Sequence, residues 1–387
     1  MRNPGVRWFL ISLAVVLNGL ILLRPGARLG SAPAGFALTG RVATGSTEPW
    51  FEEEFINPNS PQPMVHVASL CELPDGKLAA TWYGGSREGA TDVAIYFAAR
   101  PRGQREWSTP RAILTPGMAA RELNRAIRKA GNSVIFADEA GKLWLVYVTI
   151  TVGGWSGSSL NLTTSTDGGR TWEPSRRLTL SPFFNISELV KNGPAVLANG
   201  GWVAPIYHEF AGKLPELLWL RPTAAGLAER KSRIVGGISG FQPALTPLST
   251  NRAVAFLRDT TPRERISVSR TADNGRTWSS PEALDLPNPH SGLDALRLTD
   301  GRLLLAFNDS RTGRENLRLA LSLDEGSTWE RVATLEEEAG AEFSYPFLIQ
   351  TRDGKIHLVY TWKRKAIKHV VFNESWLNTK PARSPGS

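Results

Sequence analysis

One cysteine, Cys71, in a chain of 387 residues leaves no disulfide framework and no cysteine-ligated zinc or iron–sulfur site. Histidine is nearly as scarce: there are five, His208 and His290 are far apart and His369 stands alone, so no helical histidine metal motif forms. No long amphipathic helical stretch competes for the fold. Charged residues are 21% of the chain and apolar ones 41%, a balance that excludes a disordered or fibrous protein. What the chain has in quantity is glycine (36), proline (26) and tryptophan (13), which points to many turns, many short strands and an indole placed repeatedly. Lysine and arginine outnumber aspartate and glutamate by 45 to 36; the net charge of +9 serves either solubility or attraction of an anionic partner. The basic residues are dispersed and carry no recognised motif, so no nucleic-acid partner is expected.

The first thirty residues read as a membrane segment. Arg2 and Arg7 precede an apolar run from Trp8 to Leu23, which Arg24 closes. At about 1.5 Å per residue the run reaches roughly 24 Å, just short of a comfortable bilayer span. It is longer than the apolar region of an ordinary signal peptide, and Arg24, Pro25 and Arg28 fit a cleavage site poorly. The expected layout is an uncleaved anchor over 1–29, a tether rich in Gly, Ala, Ser and Thr over 30–48, and one folded domain over 49–380. Arg2 and Arg7 favour an orientation that puts the domain on the periplasmic side of a bacterial inner membrane. Small residues from Ser31 to Gly35 keep open the alternative, a cleaved signal and a secreted or periplasmic protein.

Two interleaved repeats organise the rest. Ser165, Asp167, Gly169, Thr171 and Trp172 share their spacing with Thr271, Asp273, Gly275, Thr277 and Trp278, and with Ser322, Asp324, Gly326, Thr328 and Trp329. Such a pattern makes a tight turn: Asp bonds the turn amides, Gly supplies positive φ and Trp packs the turn on its sheet. These aspartates are therefore read as structural. A second pattern, apolar strand, turn, apolar strand, centres on Gly76, Gly141, Gly200, Asn251, Gly301 and Gly354, roughly fifty to sixty-five residues apart. The interval from Trp172 to Trp278 is about double that from Trp278 to Trp329, so one unit has lost its Trp-bearing turn. Six units of three or four short strands predict an all-β, six-bladed β-propeller.

From Pro63 to Phe372 the chain resembles the sialidase superfamily of Asp-box propellers. The stretch from Ser344 and Tyr345 to Tyr360 is similar to the family segment whose tyrosine is the nucleophile, and Tyr345 falls on that tyrosine. Arg314, Asn316 and Leu317 leading into the third turn motif are similar to the segment whose arginine binds the sugar carboxylate. The resemblance implies a Tyr nucleophile paired with a carboxylate, an acidic acid/base, and arginines on the carboxylate of the sugar. The chain also departs from the family. Val65, His66 and Val67 stand where the first carboxylate-binding arginine is expected, so His66 replaces a permanent cation. The loop from Gly85 to Asp92 offers Glu88 or Asp92 as acid/base, with Arg87 beside them as a partial substitute for the lost arginine.

Other candidates lie at corresponding strand ends. Arg258 is read as a second carboxylate clamp and Asp294 as the carboxylate that activates Tyr345. Glu209, after His208, and Gln242 are read as pocket-lining residues, and Arg364, Lys365, Lys368 and His369 as a basic patch that faces an acidic glycan or serves as an edge device. A glycoside of a 2-keto-3-deoxy sugar acid carries a carboxylate on its anomeric carbon. A neutral phenol avoids the repulsion that a carboxylate nucleophile would meet there. The expected function is thus an exo-glycosidase acting on a terminal sialic acid or Kdo-like sugar of a cell-envelope or extracellular glycan, with no cofactor and no metal. Bacterial two-component Kdo hydrolases, in which a sialidase-like anchored protein works with a membrane partner, are similar in layout. Two alternatives stay open: a non-catalytic glycan-binding propeller, and a polysaccharide lyase acting on uronates, with Tyr345 and His66 moving the proton.

Overall fold

Apolar runs such as Leu303–Phe307 are buried at every residue, because neighbouring sheets cover both faces of the strand. A computed structural model of the chain describes residues 34–38, 48–180, 185–210, 212–224, 226–234 and 240–379. The segment Trp8–Leu23 lies outside the described residues, and among these no helix is long and apolar enough to cross a membrane. The chain divides into the units Met1–Ala34 and Gly35–Ser387, and every element below belongs to the second.

The described strands form six antiparallel sheets, the blades of a propeller. Strand β1 (Phe51–Phe55) belongs to the last blade. Blade 1 is β2 (Met64–Glu72), β3 (Leu78–Gly85), β4 (Ala94–Arg100) and β5 (Arg111–Leu114). After helix α1 (Pro116–Leu123), blade 2 is β6 (Lys129–Ala137), β7 (Leu143–Ile150), β8 (Ser158–Ser165) and β9 (Arg176–Arg177). In blade 3, β10 (Leu189–Val190) and β11 (Ala195–Val196) both pair with β12 (Trp202–His208), followed by β13 (Leu214–Thr223) and β14 (Gly226–Arg233). Blade 4 is β15 (Gly240–Pro247), β16 (Ala253–Asp259), β17 (Arg265–Thr271) and β18 (Glu282–Pro287). Blade 5 is β19 (Asp294–Arg297), β20 (Leu303–Phe307), β21 (Asn316–Ser322) and β22 (Glu330–Glu337). Blade 6 is β23 (Phe343–Gln350), β24 (Ile356–Trp362) and β25 (Ala366–Phe372), with β1 as its outermost strand, so the two ends of the domain close the ring together.

Both repeats are turns of these blades. Gly76, Gly141, Gly200, Gly301 and Gly354 join the first strand of a blade to the next and have φ from +76° to +95°, a region a side chain strains. The Asp motifs connect third to fourth strands in blades 2, 4 and 5. Asp273 accepts from the Thr271 hydroxyl at 2.9 Å and from the Thr277 amide and hydroxyl at 2.9 and 2.6 Å. Asp324 repeats this with Ser322 and Thr328. Each turn is closed by its own eight residues, which confirms the structural reading of the aspartates. Blade 3 lacks the motif and turns from β13 to β14 at Thr223 and Gly226.

The tether expectation needs one correction. Phe36 is fully buried and bridges Leu197, with the Phe36 amide on the Thr250 carbonyl at 2.8 Å. An aromatic ring that finds a pocket under blades 3 and 4 docks there, so residues 35–37 are part of the folded unit.

Candidate active site

The first strands of blades 1, 2, 4 and 6 carry a bulge. Pairing shifts between His66 and Ser69, Ala130 and Ser133, Phe241 and Ala244, and Ser344 and Phe347. A bulge re-aims the side chain it contains. In three of the four, the first bulged residue is Val67, Gln242 or Tyr345, with φ of 49°, 48° and 55°. Positive φ in a valine or tyrosine is strained backbone, which persists only where its surroundings enforce it. Pro243 and Pro346 follow two of these residues, and neither has an amide hydrogen to lose from the ladder.

Residues of blades 1, 4, 5 and 6 meet around Tyr345. The ring of His66 stands edge-on to it, 4.8 Å between centroids. The Arg314 guanidinium lies over its face at 5.4 Å. Nη1 of Arg258 is 3.5 Å from its hydroxyl and donates to Gln242 Oε1 at 3.0 Å. Gln242 in turn donates to the Tyr207 hydroxyl at 3.1 Å. A Cβ on Gly292 would come within 2.7 Å of the Tyr345 ring, so only glycine lets the ring lie there. No described carboxylate pairs with Arg258, whose Nε is buried without a partner while its plane covers Phe241 at 4.7 Å. An unpaired guanidinium at a tyrosine hydroxyl is a ready anion-binding group.

Arg314 and Arg364 are already paired. Glu342 accepts from Arg314 at 3.1 Å, from Ser344 at 2.8 Å and from Arg364 at 2.6 Å. Its burial works against ionisation, yet the bonds from Arg364 and Ser344 hold it down at about 2. Arg364 reaches on to Glu88 at 2.7 Å. A row of alternating charge, Arg314, Glu342, Arg364 and Glu88, thus runs from blade 5 through blade 6 to blade 1. Glu342 was not singled out in the sequence; the acidic residue just ahead of Ser344 and Tyr345 was its only signal.

Several expected roles change. Asp294 does not face the Tyr345 hydroxyl. It is 5% exposed, and its oxygens accept the amides of Ala295 and Leu348 at 3.0 and 2.8 Å. Burial pushes its acidity down, opposed by the charge of Lys191. Lys191, 1% exposed and unanticipated, donates to Asn192 at 2.5 Å and to the carbonyls of Leu293 and Pro346 at 2.9 and 2.5 Å. The amide of Gln242, not a carboxylate, therefore neighbours the Arg258–Tyr345 pair.

His66 is buried with Nδ1 on the Thr361 hydroxyl at 3.1 Å, and burial, then the charges of Arg364 and Arg314, hold it well below its usual range. It is a neutral wall and not a clamp. Asp92 is exposed and binds the Ser86 amide and hydroxyl, both at 2.9 Å, so it staples its own loop. Glu88 is the one of the two acids joined to the site. Arg87 is exposed beside them and makes no ion pair with a described residue. Glu209 is bound to Lys213 at 2.7 Å, beside Phe241. The basic patch is not one surface: Lys368 is buried on Glu53 and Glu336 at 3.1 and 2.8 Å and His369 is buried on Glu54, because alternate residues of β25 face opposite sides.

Among the described residues one set of His and acidic groups, Glu188, His208 and Glu216, has ligand atoms all within 4.8 Å of one another. Lys231 sits on both carboxylates at 2.5 and 3.2 Å and Arg233 on Glu216 at 3.2 Å, so two cations already hold the two acids.

The family described as BNR repeat-like domain matches residues 76–358. The sialidase of Micromonospora viridifaciens is 24% identical over 390 residues, covering 90% of this chain and 57% of that protein, so the chain spans little more than half of this relative. Among solved structures, the Hadza microbial sialidase Hz136 has a TM-score of 0.68 at 17% identity, over 82% of this chain and 68% of that one. A Dyadobacter fermentans protein of unknown function has a TM-score of 0.66 at 14% identity, over 83% and 98% of the two chains. The intramolecular trans-sialidase of Ruminococcus gnavus, solved with oseltamivir carboxylate, has a TM-score of 0.64 at 13% identity, over 84% and 97%. At these identities the structures speak for the fold. With six blades, three Asp turns and a match over most of its length, the chain belongs to the BNR repeat-like family, as a divergent branch of the sialidase-like propellers.

Proposed function

We propose that the protein is a sialidase-type exo-glycosidase that removes a terminal 2-keto-3-deoxy sugar acid, sialic acid or Kdo-like, from an envelope glycan. The observation that carries this reading is Arg258, a guanidinium with no described carboxylate partner, 3.5 Å from the Tyr345 hydroxyl. Arg258 and Arg314 would hold the sugar carboxylate, with Arg314 turning from Glu342 toward it. Tyr345 attacks the anomeric carbon as the glycosidic bond breaks, and Glu88, released from Arg364 and having taken up a proton from solvent, gives that proton to the leaving oxygen. The phenol proton passes to water, and Arg258 stabilises the negative charge on the attacking oxygen. Water then cleaves the Tyr345–sugar bond and returns the phenol. The anomeric carboxylate repels an acidic nucleophile, which favours tyrosine for this substrate class. The name of the Micromonospora relative supports the same class.

The apolar run Trp8–Leu23 supports an inner-membrane anchor for a periplasmic propeller, working alone or with a membrane partner protein. A second reading, a binding propeller without turnover, is favoured by Gln242, an amide where a base for Tyr345 is needed. Incubating the full-length protein and Tyr345→Phe with sialosides, Kdo glycosides and uronate polymers separates them. Turnover of a sugar-acid glycoside that Tyr345→Phe abolishes supports the enzyme; binding without turnover supports the second reading.

A further inference from the structure

The blade that closes the ring holds a hydrogen-bonded row of buried groups that the Tyr345 site does not use. His369 Nδ1 on β25 lies 2.9 Å from Glu54 Oε1 on β1, and His369 Nε2 lies 3.0 Å from His357 Nδ1 on β24. The two imidazoles are stacked, 14° from parallel. Arg100 and Trp107 also donate to Glu54 Oε1, at 2.5 and 3.0 Å. Burial opposes its charge, but the bond from His369 and the charge of Arg100 keep Glu54 below the usual range, hence ionised. Burial drives both histidines toward the neutral form; at His369 the bond and charge of Glu54 oppose this and the charge of Arg100 supports it, and at His357 the charges of His369, Arg100 and Lys355 all support it.

These states place every proton. Ionised Glu54 only accepts, so neutral His369 carries its hydrogen on Nδ1 and points a lone pair from Nε2. His357 must donate to that lone pair from Nδ1, which leaves its own Nε2 as a bare acceptor. No described residue meets this nitrogen, and the side chain, though only 4% exposed as a residue, forms part of the wall of a cleft of about 650 Å³. Ligand clefts run from about 300 to 1,000 Å³. Thr351, also in the wall, follows β23 at the end away from Tyr345, so the cleft lies roughly 20 Å along the strand from the Tyr345 site.

The lining says what the cleft suits. Five carboxylates and five Lys or Arg side chains line it, so it has no net charge with which to select an anion. Arg100 and Lys355 near His357 disfavour a metal ion at its lone pair. Interspersed donors and acceptors around a bare imidazole acceptor, next to the indole of Trp50, match groups that both donate and accept. Adjacent hydroxyls of a sugar ring are such groups.

We propose that this cleft is a second carbohydrate site, for a neutral saccharide unit, in which His357 Nε2 accepts a sugar hydroxyl and Arg352 and Lys355 donate to its neighbours. It stands independently of the glycosidase reading.

Long-range proton–nitrogen NMR spectra of the full-length protein test it in two steps. His357 and His369 are expected to be Nδ1–H tautomers, and titration with maltose, cellobiose or lactose is expected to shift the His357 Nε2 signal saturably. His357→Gln should weaken the binding disaccharide about tenfold, the loss of one buried hydrogen bond, while Tyr345→Phe leaves it unchanged. An Nε2–H tautomer at His357 overturns the proposal, as does a signal that none of the three sugars moves. Equal affinity in His357→Gln overturns it too. The tautomer measurement needs only the wild-type protein, so it stands even where the variant fails to fold.

Discussion

The Asp294 carboxylate accepts the Leu348 amide at 2.8 Å, which ties the first strand of blade 5 to the first strand of blade 6 just past the Tyr345 bulge. Within the bulge itself, Lys191 from blade 3 holds the Pro346 carbonyl at 2.5 Å. Two buried charged groups thus grip the backbone around a tyrosine held at φ 55°. This grip is what keeps Tyr345 in a conformation that it would leave if free.

Asp294→Ala should therefore act on the fold. It removes the acceptor of two amides and leaves Lys191 buried without its counter-charge, a loss of about 3 kcal/mol in urea unfolding. A variant as stable as the wild type but inactive would return Asp294 to a purely chemical role.

Arg258→Met should cost about 1 kcal/mol of stability, because it breaks the bond to the buried Gln242 Oε1 but no ion pair. Affinity for a free sugar acid, measured by calorimetry, should fall about 10- to 100-fold, the worth of a charge-assisted hydrogen bond. Unchanged affinity would remove Arg258 from the anion site.

Glu342 sets an acid limit. Its carboxyl titrates near 2 in the folded chain, below the ordinary glutamate value of 4.5. A lowered folded value means stability that is complete above the unfolded value and is lost as pH falls from about 4.5 to about 2. Partial exposure reduces the contribution to about 2 kcal/mol. Urea midpoints across that window should fall for the wild type and change less for Glu342→Gln.

Gln242→Glu puts a carboxylate where Arg258 and the Tyr345 hydroxyl meet. The glycosidase reading expects faster turnover, since the phenol gains a base, together with a higher KM, since Arg258 becomes paired. Slower turnover with unchanged KM would count against Tyr345 as nucleophile.

Glu88 and Asp92 separate by leaving group. Glu88→Gln should cut turnover of a natural glycoside about 100-fold or more and be rescued by a 4-methylumbelliferyl aglycone, which leaves without protonation. Asp92→Asn should loosen the Ser86 loop and show no such rescue.

Sequence alone determined what its near neighbours decide. The three Asp turns close within eight residues through side chains of those residues, and the turn glycines answer a local demand for positive φ, so blade number and order were readable before any contact was known. Tyr345, Arg314 and Arg258 could be named as candidates from the sequence because each stands in a recognisable local stretch, and the structure brings the three side chains together. Tertiary structure decided their partners. Glu342 meets Arg364 across a hairpin, Asp294 takes the Leu348 amide instead of the Tyr345 hydroxyl, and Lys191 reaches β23 from blade 3. Phe36 docks under blades more than a hundred residues away, and Glu54 meets His369 only because β1 closes the ring on β25. Such contacts depend on how the six sheets pack around one axis, and no window of sequence records the face that a neighbouring blade will present.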